Sequence, residues 1–247
     1  MSKQFELLQQ LENDVVSGSE PVQPVVSPSR EILTSNGQKR YAGEEALRLV
    51  QQIFFRQDQP LPRVVVFAGI DHGNGCSQIC VSVAEILARS SRGPVCLVEA
   101  NFRSPALPEL FGTTNHHGLA DALVEQGPIR TFAKMASPDN LWLLSSGALA
   151  ADSPSLLASE QLRERLDELR QGFDFVIIDA PPLTHYSDAV LLGQLSDGLV
   201  LVIEADVARR ETAEVVTQNL RSAKVPILAA VLNKRTFPIP EKIYRWL

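Results

Sequence analysis

The chain has 247 residues, 45% of them hydrophobic and 21% charged, which is ordinary globular composition and enough length to bury the core of one large α/β domain. Lys and Arg total 23 against 29 Asp and Glu, a net charge of -6, so the broad basic field of a nucleic-acid-binding protein is excluded. The longest apolar runs fall far short of the roughly 20 residues of a membrane-spanning helix, and the polar N-terminus lacks the apolar stretch of a secretory signal. We therefore expect a cytoplasmic protein.

Residues 1–40 differ in composition from the rest of the chain. Apolar residues recur at helical spacing between Phe5 and Val15, which predicts a short amphipathic helix that either docks on a partner or folds back on its own domain. Residues 17–29 contain Gly, Pro and Ser with few large apolar side chains and predict a flexible linker. The expected organisation is therefore helix and linker over 1–40, an α/β domain over 41–236 and a C-terminal tail over 237–247.

From residue 44 onward, helical patterns alternate with nearly continuous apolar strands. Helices are predicted over 44–55, 75–89, 157–170 and 209–222, with another from residue 189, and strands over 64–68, 95–99, 141–144, 175–179, 199–204 and 227–233. Continuous apolar strands are covered by helices on both faces. The fold class is thus α/β, a doubly wound, mainly parallel sheet in a three-layer arrangement. Ligands of such sheets bind beyond the carboxyl ends of the strands, so the loops after Ala68, Glu99 and Asp179 are the expected site.

A glycine-rich loop follows the strand over 64–68. It reads Gly69-Ile-Asp-His-Gly-Asn-Gly-Cys-Ser77 and leads into a helix, the order that cradles phosphate in P-loop proteins. Gly73 and Gly75 permit positive φ and a close approach of backbone N–H groups to an anion. Ser77 supplies the hydroxyl expected on Mg²⁺, but Cys76 stands where a P-loop has its phosphate-binding Lys. One lost charge pair at ~4 Å costs about 4 kcal/mol at an effective dielectric of ~20, roughly a thousandfold in affinity or rate.

Two other residue types near this loop bear on its chemistry. Cys76, Cys80 and Cys96 are expected to be reduced thiols. Cys76 and Cys80 share one helix face, but with no His or carboxylate close by in the sequence the pair makes a poor zinc site. His72 lies inside the glycine loop and is interpreted as a solvent-exposed side chain that could add positive charge when protonated.

Two later strands end in acidic or polar motifs. One is Val98-Glu-Ala-Asn-Phe-Arg-Ser-Pro105, and the other is Val176-Ile-Ile-Asp-Ala-Pro-Pro182, whose lone carboxylate suits a magnesium-bound water. With the glycine loop, these motifs resemble the bacterial tyrosine kinases of capsule and exopolysaccharide synthesis, whose second motif is acid-x-acid-x-Arg and whose third is hydrophobic-Asp-x-Pro-Pro. The resemblance covers essentially the whole chain and continues in Glu45-Ala-Leu-Arg48, Gly118-Leu-Ala-Asp121 and Val231-Leu-Asn-Lys234.

This resemblance implies a role for each matching residue. Contacts to nucleotide are implied for Gly73, Asn74, Gly75, Cys76, Ser77, Gln78, Arg103 and Asn233, with Asn233 at the base. Ser77, Glu99 and Asp179 would hold Mg²⁺, and Glu99 and Asp179 would be the catalytic residues of an active enzyme. Glu45 and Arg48 belong to a helix motif that the family uses for ring assembly into homo-oligomers.

The chain also departs from the family pattern. Glu99 stands in place of an Asp, Asn101 in place of a second Asp, and Gln51 in place of the last Arg of the assembly motif. Asn101 cannot act as a carboxylate base. Of the three tyrosines only Tyr244 lies near the C-terminus, whereas the family's phosphorylated tail is rich in tyrosine. Ring assembly and tail phosphorylation are therefore both in question.

Three functions remain open. The sequence favours a degenerate, pseudokinase member that binds an inner-membrane chain-length, co-polymerase or export protein and influences polysaccharide assembly, with ATP or ADP and Mg²⁺ bound weakly or not at all. An active ATP-dependent tyrosine kinase is the alternative. A deviant P-loop ATPase of the partitioning type is the third, although Asp71 occupies the place of that class's signature Lys.

Overall fold

One sheet organises the part of the chain that the structure describes. The computed structural model describes residues 25–28, 37–55, 61–137, 139–148 and 153–235. The strands are β1 Val25–Pro28, β2 Val64–Gly69, β3 Val95–Glu99, β4 Lys134–Ser137, β5 Leu141–Leu144, β6 Phe175–Ala180, β7 Gly198–Glu204 and β8 Ile227–Arg235. The α-helices are α1 Gly37–Phe54, α2 Cys76–Ser90, α3 Leu107–Leu110, α4 Leu119–Val124, α5 Glu160–Gly172, α6 Asp188–Gln194 and α7 Arg210–Ser222. Short 3₁₀ helices cover Ile129–Thr131 and Ser153–Ala158.

The strand order is β1-β8-β7-β2-β6-β3-β5-β4. All neighbouring strands run parallel except β4, which pairs antiparallel with β5 at one edge. Because β2 lies in the middle and the chain crosses to both sides of it, the carboxyl ends of β2, β6 and β3 lie side by side. The predicted doubly wound, mainly parallel sheet is confirmed.

Alternate residues of each central strand pack into two separate hydrophobic cores, one on each face of the sheet. In β2, Val64 and Val66 pack on one face with helices α4 to α7, whereas Val65 and Phe67 pack on the other with α1 and α2. All six residues of β2 are buried. The strands read as continuous apolar runs because helices cover both faces, which is the three-layer arrangement that the sequence predicts.

The structure differs from the sequence prediction at the N-terminal side. Residues 25–28 were assigned to a linker, but they form β1, which pairs in parallel with β8. That assignment was wrong here because the open edge of β8 supplies hydrogen-bond partners from some 200 residues further on, which local composition cannot show. Helix α1 begins at Gly37 instead of residue 44. The predicted helix between Phe5 and Val15 and the tail over 237–247 lie outside the described residues.

Several short elements were not predicted. Helix α3 has four residues and α4 has six, which is too short for a helical period to show in the sequence. Strand β4 has two exposed and two half-buried residues, so it lacks the apolar run that marks the central strands. None of the helices in the described ranges is both long enough and apolar enough to cross a membrane.

Candidate nucleotide site

Three loops meet at the carboxyl edge of the sheet. They follow β2, β3 and β6, which are adjacent strands. Glu99 at the end of β3 is the register partner of Asp179 in β6, and Asp179 is in turn the partner of Phe67 in β2. The two carboxylates therefore lie on neighbouring strands beside the start of α2, at the edge where the sequence predicts a site.

The glycine loop is held in its cradle shape by the protein's own hydrogen bonds. Gly73 and Gly75 have φ of 76° and 78°, so the predicted positive φ is confirmed at both. The Asn74 side-chain Oδ1 accepts a hydrogen bond from the Asp71 backbone N–H at 2.7 Å. Asn233 Nδ2 at the end of β8 donates to the Asn74 backbone carbonyl at 2.7 Å. The loop is thus held both by a bond within it and by a side chain of β8, which lies two strands away from β2.

Cys76 is the first residue of α2 and is half-buried. A hydrogen bond with Cys80 would lower the pKa of its thiol, but burial and the carboxylates of Asp179 and Glu99 outweigh this and raise the pKa to about 11. The side chain is therefore a neutral thiol at physiological pH. The position that carries a cation in a P-loop contributes no charge here.

Both carboxylates at this edge are buried. Glu99 has no exposed surface and Asp179 is 1% exposed. Burial raises the pKa of both groups, and the charge of Asp179 raises that of Glu99 further. Among the ion pairs of the described residues, none joins a Lys, Arg or His to either acid. The P-loop lysine is absent from this edge, and within the described part of the chain no other basic side chain takes its place beside the two buried acids.

The residues fit a hydrated Mg²⁺ only in part. Asp179 Oδ2 is buried and makes no well-aligned hydrogen bond, so it has an unused lone pair, and Ser77 lies close enough to lower the pKa of Asp179. Glu99 is different, because its Oε2 accepts from the backbone N–H groups of Ala106 and Leu107, both at 2.8 Å. Ser77 and Asp179 are therefore available to a cation, and Glu99 instead anchors the loop after β3.

The remaining candidate residues are scattered around the loop. Gln78 is exposed on the first turn of α2. Arg103 Nε donates to Asp188 Oδ2 at 3.3 Å, and its guanidinium lies 4.0 Å from the centre of the Tyr186 ring. Arg103 is thus tied to the loop after β6. Asn233 contacts the glycine loop through Asn74, and in this structure its amide acts on the backbone of that loop.

The structure also places side chains at the loop that sequence reasoning did not assign to it. His185 Nε2 lies 2.7 Å from Asp71 Oδ1, and the His185 ring stacks on His72 at 4.7 Å. Glu204 reaches Asn74 at 3.4 Å, and Cys80 Sγ donates to Asp179 Oδ1 at 3.7 Å. The sequence signal for two of them was position, because Glu204 is the last residue of β7, as Glu99 is of β3, and His185 lies in the loop after β6.

The assembly motif lies on α1, away from these loops. Arg48 pairs with Glu45 at 3.0 Å, and the Arg48 side chain is 68% exposed. An exposed ion pair one turn apart contributes little to the stability of a single chain. Both residues remain accessible to a second copy, and their predicted role in assembly stays a prediction.

Solved structures of known proteins share the fold of this chain. The solved structure of the chimerical protein CapA2B2 superimposes with a TM-score of 0.80 at 20% identity, over 93% of this chain and 100% of the other. The kinase domain of the Escherichia coli tyrosine kinase ETK gives 0.74 at 23% identity, over 81% and 79%. At these identities the likeness establishes the fold. Together with the glycine loop it defines a P-loop-type α/β domain.

The sequence relatives are named as tyrosine-protein kinases. The chain is 26% identical to the tyrosine-protein kinase YwqD of Bacillus subtilis over 204 residues, 83% of this chain and 86% of the relative. It is 25% identical over 190 residues to the tyrosine-protein kinase Wzc of Salmonella typhimurium, but spans only 26% of that longer protein. No family model matches the chain. The chain is thus similar to bacterial tyrosine-protein kinases over most of its length, with Cys76 at the position of the P-loop lysine.

Proposed function

We propose that this chain is a catalytically degenerate member of the tyrosine-kinase family that acts by binding other proteins. The observation that carries the proposal is Cys76, a half-buried neutral thiol at the lysine position beside two buried carboxylates without a basic partner. Phosphoryl transfer depends on positive charge around the transferred group. A site that presents the Asp179 carboxylate without a lysine supplies no positive charge to neutralise the phosphates of ATP.

The second motif supports the same reading. Both Glu99 oxygens accept hydrogen bonds from backbone N–H groups of the following loop. Asn101 Oδ1 accepts from the Ser104 N–H at 3.2 Å. Both side chains thus shape the loop after β3. Neither is a free carboxylate that could take a proton from a tyrosine hydroxyl.

The proposed setting is capsule or exopolysaccharide synthesis at the cytoplasmic face of the inner membrane. We propose that the chain is recruited there by a membrane chain-length or co-polymerase protein. This part of the proposal rests on kinship with the tyrosine kinases, including Wzc, in which about a quarter of the protein matches this chain. Homo-oligomer formation through Glu45 and Arg48 belongs to the same proposal.

Calorimetric titration with ATP and ADP in the presence of Mg²⁺ tests the central point. We expect the wild type to bind at most weakly, and Cys76→Lys to bind up to about a thousandfold more tightly, because one charge pair is restored. Cys76→Met is the matched control, since it adds length without charge and should not restore binding. A phosphotyrosine assay on each protein completes the experiment.

An active kinase is the competing function and gives the opposite result. Micromolar nucleotide binding by the wild type, together with tyrosine phosphorylation that Asp179→Asn abolishes, would contradict the proposal. Equal gains in Cys76→Lys and Cys76→Met would also contradict it, because charge would then not be what the site lacks.

A further inference from the structure

The two thiols of α2 and the carboxylate of β6 form a cluster at the base of the glycine loop. Cys76 and Cys80 are four residues apart on one helix and so lie on the same face. Asp179 faces them from the sheet, with its Oδ1 at 3.7 Å from Cys80 Sγ. The three potential ligand atoms all lie within 4.8 Å of one another. Asp179 is 99 residues from Cys80 in the sequence, and the fold brings the two together.

The spacing of these atoms suits a tetrahedral metal ion. With metal–sulfur bonds of about 2.3 Å and metal–oxygen bonds of about 2.1 Å, neighbouring ligand atoms of a tetrahedral zinc site are about 3.6 Å apart. The Cys80 to Asp179 separation of 3.7 Å already has this value. The Cys76 sulfur lies within 4.8 Å of the other two ligand atoms, so a small rotation of its side chain would bring it to bonding distance from the same ion. A pair of ligands at i and i+4 on one helix is also a recurrent zinc-binding arrangement.

A second feature of the cluster is independent of this spacing. Asp179 is 1% exposed, and its Oδ2 is buried without a well-aligned hydrogen bond. A buried oxygen whose hydrogen bonds are poorly aligned is unfavourable, and more so when it is charged. A cation bound at the cluster would remove this cost.

Charge and chemical softness decide which cation fits. Asp179 has no basic partner among the described ion pairs, so a divalent cation would balance its charge when it is ionised. Two thiolates favour Zn²⁺ and similar soft ions over Mg²⁺, which prefers an all-oxygen shell. The half-buried Cys76 gives an entry path from solvent. A fourth position remains for water or the Ser77 hydroxyl.

We propose that Cys76, Cys80 and Asp179 form a binding site for one Zn²⁺-class metal ion at the base of the glycine loop. Each thiol releases its proton to solvent as its sulfur binds the metal, and the carboxylate binds through oxygen. The site does not depend on nucleotide binding. A metal here would take the Asp179 oxygen that a magnesium–nucleotide complex needs, so the two ligands would exclude each other.

Titration of the reduced, chelator-stripped full chain with Co²⁺ and then Zn²⁺ tests the site. We expect one Co²⁺ per chain, with thiolate-to-cobalt charge-transfer absorption in the near ultraviolet, the visible bands of tetrahedral cobalt, and displacement of both by Zn²⁺ but not by Mg²⁺. Cys76→Ala should weaken binding by at least about tenfold. Cys96→Ala is the matched control, because Cys96 is a buried thiol of β3 outside the cluster and its loss should leave binding unchanged.

The outcomes separate the proposal from its alternatives. Binding without thiolate absorption, or absorption that survives in the Cys76→Ala and Cys80→Ala double variant, would overturn it. Equal loss in Cys76→Ala and Cys96→Ala would overturn it too, because general disturbance of the core would then explain the effect. Cys76 is half-buried at a helix start, so Cys76→Ala should fold even where Cys80→Ala does not, and circular dichroism checks this. No nucleotide is present, so failure here would leave the proposed binding function standing.

Discussion

At the scale of single residues, the site keeps the shape of a P-loop without its charge. Gly75 shows how tightly that shape is set. Its φ is 78°, and a Cβ atom added there would lie 2.5 Å from Asn233 Nδ2. Gly73 has a similar φ of 76° but has no atom within 4 Å of such a Cβ. A substitution at Gly73 would therefore introduce backbone strain alone, whereas one at Gly75 would also introduce a steric clash.

We expect Gly73→Ala to lower the free energy of unfolding by about 1 kcal/mol, the cost of a left-handed alanine. Gly75→Ala should cost about 2–3 kcal/mol, because it must also displace the Asn233 amide that holds the loop. Urea unfolding of both variants measures the difference. Equal losses would mean that Asn233 moves aside freely and does not fix the loop.

The residues of the candidate site were predictable to different degrees. Gly73, Gly75 and Ser77 belong to a contiguous motif with a physical meaning of its own, and their conformation or position agrees with it. Cys80 and Asp179 are 99 residues apart and meet only because β6 lies next to β2. Sheet register is set by the whole fold, so a cluster that depends on it leaves no trace in the local sequence.

At the scale of secondary-structure elements, burial explains which ones the sequence shows. The central strands were predicted to within about two residues, because both faces are apolar and their runs are long. Helices α3 and α4 are too short for apolar residues to recur at helical spacing in the sequence. One of them, α4, is instead held at its C-terminal end by a side chain from another helix, Arg165 of α5.

Arg165 is 9% exposed and binds three backbone carbonyls around that helix end. Its Nε donates to Ala122, one Nη to Gly127 and the other to Glu125, at 2.7, 2.7 and 2.6 Å. Helix C-termini leave carbonyls without intrahelical partners, so this guanidinium takes the place of a cap. The connection between α4 and α5 therefore depends on a single buried cation.

We expect Arg165→Met to lower the free energy of unfolding by about 3 kcal/mol, because it leaves buried carbonyls without donors. Arg163→Met is the control on the same helix, since Arg163 is exposed, and it should change stability by no more than about 0.5 kcal/mol. Chemical denaturation followed by circular dichroism measures both. A similar, small effect of the two substitutions would refute the capping role.

At the scale of the whole molecule, one carboxylate ties together parts of the chain that are far apart in sequence. Asp197, between α6 and β7, accepts from the N–H groups of Arg63 and Val64 at the start of β2, at 2.7 and 2.8 Å. It also pairs with Arg170 of α5 at 2.9 Å. Burial raises the pKa of Asp197, but Arg170 and the two backbone amides outweigh it and lower the pKa below 3.8.

A lowered pKa in the folded state fixes the sign of the pH effect. The stabilisation is complete above the unfolded-state pKa of about 3.9 and is lost as the pH falls through the lower folded-state pKa. At pH 7 we expect Asp197→Asn to be less stable than the wild type by about 1 kcal/mol. The gap should narrow as the pH falls below the unfolded-state pKa and close once it is below the lowered folded-state pKa. Urea titrations at several pH values measure it, and a gap that stays constant with pH would show that charge is not involved.

The brace between Asn233 and Asn74 has one more consequence. Because β8 and Asp71 fix the glycine loop in the ligand-free protein, folding itself has already met the entropy cost of ordering the loop. The Asp71 amide, which donates to the Asn74 side chain, should therefore exchange slowly with deuterium before any anion arrives. The loop therefore keeps the form of a phosphate cradle with Cys76 at the lysine position, because the bonds that hold it involve neither that side chain nor a charge on it.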